Sequence, residues 1–145
     1  MKGVFDYRLP IPALREHIRR IKVVGCQFGG QLPPPKAYWP RAELCLNFYP
    51  KDLEQVEYGF GKKPLQNVRS ALFGPQSIIT NRYVRNDFLL LQVQFQPGGL
   101  ARLFGVPLGE LTNRFIDAET VFSAEVRAVN ERLSYAKDYL LRFNQ

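Results

Sequence analysis

The sequence predicts an α+β domain, an antiparallel β-sandwich or barrel followed by C-terminal helices. Three observations predict it. Five short segments with strand-like composition or alternation are separated by Gly-, Pro- and Asn-bearing turns about 8–15 residues apart, which fits two packed sheets better than βαβ units. Pro97-Gly98-Gly99 ends the last of these segments and opens a stretch with helical spacing. Beyond Asp117 the apolar period lengthens, with Phe122, Val126, Val129, Leu133, Ala136 and Leu140 in a 4-3-4-3-4 stripe.

The elements follow in order. Residues 1–30 read as an arm and a first strand. Pro10 and Pro12 favour extended backbone, and a short helical turn or extended arm leads into a strand near 17–28. Gly29-Gly30 and Pro33-Pro34-Pro35 form an irregular loop. Residues 42–96 are the β core. In 42–49, Leu44, Leu46 and Phe48 alternate with Glu43, Cys45 and Asn47, the period of a half-buried strand. Pro50-Lys51-Asp52 turns the chain into a weaker strand over 53–58, which ends at Gly59-Phe60-Gly61. Residues 70–73 and 77–84 are two more strands, and Asn86-Asp87 turns into a strand over 88–96, where Leu91, Val93 and Phe95 alternate with Gln92, Gln94 and Gln96. Residues 98–145 are helical: Leu100, Leu103 and Phe104 mark a short helix that Gly105 and Pro107 stop, and a longer helix runs from Glu119 to about Tyr135 with Asp117 as its N-cap. Its stripe fits either packing on the domain's own sheet or a homodimer interface through Phe122, Val126, Val129 and Leu133.

Composition narrows the function classes. At 145 residues and 46% hydrophobic, the chain suits one domain with one core. No apolar run approaches the roughly 20 residues that span a bilayer, and the N-terminus lacks the apolar core of a secretory signal, so a cytoplasmic location without a membrane partner is expected. Cys26 and Cys45 sit in strand-like segments and read as buried thiols. The net charge of +7 invites a nucleic-acid reading. Its distribution weakens that reading: six basic residues fall within 1–25, and the rest are scattered among acids.

Chemistry is sparse. A single histidine, His17, cannot build the several-histidine metal set of a β-barrel enzyme, and no nucleophile elbow, phosphate loop or Cys-x-x-Cys is present. Neither catalytic residues nor cofactor nor metal is therefore expected. Glu43 and Glu57 lie on neighbouring strands and read as solvent-facing rather than as an acid–base pair. Aromatics gather about the strands instead, and a sandwich of this size can leave a cavity lined by rings with a few polar anchors. Trp39, Arg41, Glu43, Asn47 and Tyr49 are the candidates for its rim and wall.

Four stretches carry a family resemblance: LREHIRRIKVV from Leu14, WPRAELCLNFY at 39–49, LFGPQ at 72–76 and, most specific, LLQVQFQPGGLARLFGVPLGELTNRFIDAETVF at 90–122. Together they resemble the N-terminal sensor domain of AraC-type transcription regulators. Arg19, Arg20 and Lys22 depart from it, standing where relatives commonly carry aromatics. The resemblance implies a cupin-like fold and a regulatory domain that binds a small-molecule effector and dimerises. It also implies that DNA is reached only through a C-terminal helix-turn-helix domain, which this chain does not contain. The expectation is thus either the sensor part of a regulator, ending at its interdomain linker after Gln145, or a stand-alone ligand-binding module. A metal-free cupin-like enzyme is the alternative.

Overall fold

The segments with the clearest period-2 patterns become the middle of a sheet. The computed structural model describes residues 2–58, 68–105 and 108–142. Among these residues, nine strands form two antiparallel sheets. They are β1 (Lys2–Arg8), β2 (Ile18–Gln27), β3 (Lys36–Tyr38), β4 (Cys45–Phe48), β5 (Gln55–Tyr58), β6 (Ser70–Phe73), β7 (Thr80–Tyr83), β8 (Asp87–Phe95) and β9 (Phe115–Asp117). The larger sheet has the order β1-β2-β8-β4-β6-β9, and the smaller has the order β3-β7-β5. The helices α1 (Gly99–Phe104), α2 (Ala118–Val121) and α3 (Ser123–Arg142) follow β8. The fold is therefore α+β and sandwich-like, and it does not close into a barrel.

The larger sheet is covered on both faces. On one side Leu44, Leu46, Phe48, Leu72 and Phe95 pack against Leu100, Phe122 and Val126 of the helical segments. On the other, Cys45, Tyr49, Ala71, Phe73 and Leu90 form a second cluster with Val56 of the smaller sheet. Leu72 and Leu100 are fully buried, and each such side chain stabilises the fold by about 1.5–3 kcal/mol through burial. A central strand with both faces covered has no solvent side. This corrects the half-buried reading of residues 42–49: the alternation separates an apolar layer from a mixed one, not core from water.

Several boundaries differ from the sequence-based expectation. The arm is a strand: β1 pairs with β2 along its whole length, Lys2 opposite Gln27 and Arg8 opposite Ile21, with a 3-10 turn at Pro12–Leu14 between them. β4 starts at Cys45 rather than near 42, because Arg41 instead exchanges backbone hydrogen bonds with Gln76 (2.9 and 2.7 Å). β7 starts at Thr80, not 77. β3 and β9 fall in stretches without a legible period. The last helix is broken at Phe122, whose backbone (φ −120°, ψ 43°) leaves the helical region. Asp117 caps the first piece, its carboxylate accepting from the Glu119 N–H at 3.0 Å. Gly98 and Gly105 flank α1 with φ of 73° and 68°, the left-handed geometry glycine tolerates. The expected turn at Gly59-Phe60-Gly61, the stop at Pro107 and the Leu140 side chain lie outside the described residues. Among those described, no helix is long and apolar enough to cross a membrane.

Candidate functional site

Strand register decides what faces the space between the sheets. Lys22 lies opposite Gln92, Gln92 opposite Asn47, and Asn47 opposite Ala71. One row of the larger sheet thus carries a cation and two amides toward the smaller sheet. From that smaller sheet, Thr80 and Arg82 alternate with Asn81 along β7 and point inward.

A continuous hydrogen-bonded chain backs this space. Arg20 donates to Gln94 Oε1, Gln94 Nε2 to Gln92 Oε1 (2.8 Å), and Gln92 Nε2 to Asn47 Oδ1 (2.9 Å). Asn47 Nδ2 donates to the Tyr49 hydroxyl (3.1 Å), which donates to Glu54 Oε2 (2.9 Å). Every link runs in the same direction, so the dipoles polarise one another, and the buried members are satisfied by their neighbours. Arg82 closes the chain, with Nη1 3.7 Å from Glu54 Oε1. Its guanidinium lies over the Tyr38 ring (3.9 Å to the centroid) and the Phe73 ring (4.8 Å).

The electrostatics follow from this burial. Desolvation pushes the Glu54 carboxyl above its ordinary range, opposed by the Arg82 charge and the Tyr49 hydrogen bond. The Tyr49 phenol is pushed well up, first by burial and then by the Glu54 charge. Burial also raises the Cys45 thiol to about 12, which keeps it protonated and unreactive at neutral pH. Lys22 moves the other way: burial lowers it, and the neighbouring cations Arg41, Lys36 and Arg20 lower it further.

A cavity of about 50 Å³ opens between the sheets, and Lys22, Tyr38, Arg41, Thr80, Arg82 and Gln92 are among its lining. Thr80 Oγ1, Gln76 Oε1 and Arg82 Nε are buried without a hydrogen-bond partner, and all three residues line this cavity. Leaving such a group unsatisfied costs about 1–3 kcal/mol, so these three atoms give the cavity unmet hydrogen-bonding capacity. A larger cleft of about 390 Å³ lies elsewhere, bounded by Leu44, Phe95, Pro75 and Pro97. Its rim charges, Arg19 and Glu43, bond each other at 3.2 Å. Size favours that cleft, but unmet hydrogen-bonding capacity favours the smaller cavity, and capacity is what recognises a ligand.

The residues expected at the site divide into two groups. Trp39, Arg41 and Glu43 line the cavity. Asn47 and Tyr49 do not: they belong to the buried chain behind it. Lys22, Thr80, Arg82 and Gln92 also line the cavity, and no local sequence pattern points to all four. Their signal was present in part, since Thr80 and Arg82 share a strand face and Gln92 and Gln94 form an uncharged amide face. The residues expected at a dimer interface are also divided. Phe122 and Val126 pack in the domain's own core, Leu133 packs against it, and Val129 is exposed. Glu43 bonds Arg19, and Glu57 accepts from the Tyr83 hydroxyl at 2.6 Å, so they do not converge. His17 lies against Arg102, whose Nε is 3.3 Å from His17 Nδ1. Among the described residues, no group of three or more His, Cys, Asp or Glu is placed to hold a metal ion.

Residues 8–117 match a family model described as a domain of unknown function, DUF6597. The match runs from the end of β1 to the cap of α2, and so takes in β2 to β9 and the cavity between the sheets. No curated protein and no solved structure matches the chain. With most of its length covered by that model, the chain belongs to the DUF6597 family.

Proposed function

We propose that this domain is the regulatory domain of an AraC-type transcription regulator, binding a small effector between its two sheets and controlling an attached DNA reader. One observation carries the reading. The strands that floor the cavity hold the C-terminal helix on their opposite face. In β4 and β6, Cys45 and Phe73 face the cavity, while Leu46, Leu72 and Ser70 face α3 and the turn before it. Asn130 of α3 donates to Ser70 Oγ (2.8 Å) and to Glu119 Oε1 (3.1 Å), and Arg69 also bonds Glu119. An effector that favours one arrangement of β4 and β6 shifts α3 with them, by as much as its affinities for the two arrangements differ.

The test is hydrogen exchange. A panel of small sugars, organic acids and amino acids is titrated against the fluorescence of Trp39, the chain's single tryptophan. With a saturating hit, amide exchange across residues 123–136 is expected to change along with that of β4 and β7. Unchanged exchange in 123–136 sinks the linkage.

Dimerisation belongs to the same proposal. Because Phe122 and Val126 are internal, the contact is assigned to the exposed side of α3, starting at Val129 on the flank of the buried stripe. Sedimentation of the wild type is expected to show a dimer, and Val129→Asp a monomer with an unchanged circular dichroism spectrum. A monomeric wild type, or a dimeric variant, removes this interface.

A further inference from the structure

We propose that the cavity between the sheets binds a small carboxylate that also carries a hydroxyl group, as a short-chain hydroxy acid does. The inference rests on the reading of this cavity as a ligand site, and it does not depend on what the domain is attached to.

Charge sets the first requirement. Lys22, Arg41 and Arg82 line one small space. Among their carboxylate neighbours, Glu43 bonds Arg19 and Glu54 accepts from Tyr49 and faces Arg82. Lys22 and Arg41 have no carboxylate within ion-pair distance among the described residues. The space therefore carries uncompensated positive charge, and the Lys22 ammonium is lowered first by burial and then by this crowding of cations. An anion relieves it.

Hydrogen-bonding capacity sets the second. Arg82 Nε can only donate, Gln76 Oε1 can only accept, and the Thr80 hydroxyl can do either; none has a partner. A ligand that satisfies them needs an acceptor and a donor. A carboxylate alone leaves Gln76 unmet, and a neutral polyol leaves the charge unmet. A hydroxy acid meets both.

Size sets the third. A cavity of about 50 Å³, at roughly 10–15 Å³ for each enclosed water, takes a group of about three to five non-hydrogen atoms. Trp39, 70% exposed, and the exposed Arg41 stand on its lining toward solvent, so a larger substituent leaves past the indole. The Tyr38 and Phe73 rings hold the Arg82 guanidinium in place, so little reorganises on binding.

Thr80→Val is the decisive variant. It removes an unmet hydroxyl at constant shape from a residue 1% exposed, so the free domain should melt at the same temperature or higher while ligand affinity falls. Glycolate, lactate and glycerate, with acetate, glycerol and inorganic phosphate beside them, are titrated against Trp39 fluorescence and checked by calorimetry. At least one hydroxy acid is expected to bind about tenfold more tightly than acetate, glycerol or phosphate, a difference of about 1.4 kcal/mol. Thr80→Val and Lys22→Met should each lower that affinity about tenfold or more. Binding unaffected by either variant, or phosphate or acetate binding as tightly, overturns the assignment. Glycerol binding in preference to the acids also overturns it, while leaving the cavity a ligand site. No binding by any probe at millimolar concentration removes the assignment and its premise together. A hydroxy acid that binds without altering exchange in α3 upholds this inference and defeats the regulatory one.

Discussion

Gly74→Ala is expected to lower the unfolding free energy by about 3 kcal/mol or more, at the upper end of the range for overpacking a core. The reason is backbone meeting backbone. A methyl group at position 74 would lie 1.7 Å from the Leu111 carbonyl oxygen and 2.3 Å from its carbon. No rotamer change can relieve such a contact. The Leu111–Arg114 segment would have to withdraw, yet Gly74 N–H donates to the Arg114 oxygen at 3.1 Å and Asn113 N–H donates to the Pro75 oxygen at 2.8 Å. Withdrawal breaks these bonds and uncovers Leu111, which is buried against the helical side of the larger sheet. In a domain of this size that loss lowers the melting temperature by roughly 6–12 °C. Urea denaturation followed by circular dichroism measures it, and a midpoint within error of the wild type would show that the two segments separate freely. Gly99 stands in the same relation to the His17 carbonyl, at 2.0 Å, and Gly99→Ala should behave alike. Gly105, around which a methyl group would meet nothing within 4 Å, has left-handed geometry instead, so alanine there costs only the smaller strain of that backbone region.

What could be read from the sequence was local, and what could not was the meeting of segments far apart. β4, β8 and α1 are legible because alternation, a Pro-Gly-Gly turn and helical spacing are each written within about ten residues. β1 is not, because a strand at a sheet edge shows no core face: Phe5 and Tyr7 are exposed, and only pairing with β2 holds them extended. The site divides along the same line. Trp39, Arg41 and Glu43 were legible as cavity residues from the strand that follows them. Asn47 and Tyr49 lie one layer deeper because the polar side of a doubly covered strand faces a second sheet rather than water. Lys22 and Arg82 come from strands about sixty residues apart in sequence, and nothing local states that their sheets stack. The departure at Arg20 and Lys22 was visible, however, and the structure gives it a place: these cations stand over the Tyr7 and Phe5 rings and reach toward Gln94 and the cavity.

Arg82→Met should be the most disruptive change at the site, and its effect should depend on pH in a determined direction. The methionine side chain keeps apolar packing near Tyr38 and Phe73 but removes the charge and the cation–ring contacts. Glu54, whose side chain is 3% exposed, then loses the cation 3.7 Å away that opposes its desolvation. Removing one partner of a buried pair costs about 3–5 kcal/mol when the other stays ionised. Glu54 need not stay ionised. Its folded-state pKa already lies above the ordinary value of 4.5, and without Arg82 it rises further. A raised pKa means that the folded state binds a proton which the unfolded chain has released. The resulting stabilisation is fully present below the unfolded value and is lost as pH rises through the folded one. Both proteins should therefore lose stability as pH climbs from about 4.5, and the variant should do so over a wider span. Urea midpoints at pH 5 and pH 8 measure this, with the deficit of Arg82→Met larger at pH 8. Adding Glu54→Gln removes the titrating group and keeps an acceptor for Tyr49, so the double variant should regain part of the loss at pH 8, and its deficit from Glu54→Gln alone should be the same at both values. A deficit in Arg82→Met that is equal at the two pH values would mean that Glu54 does not feel this charge, and the buried chain would then end at Glu54.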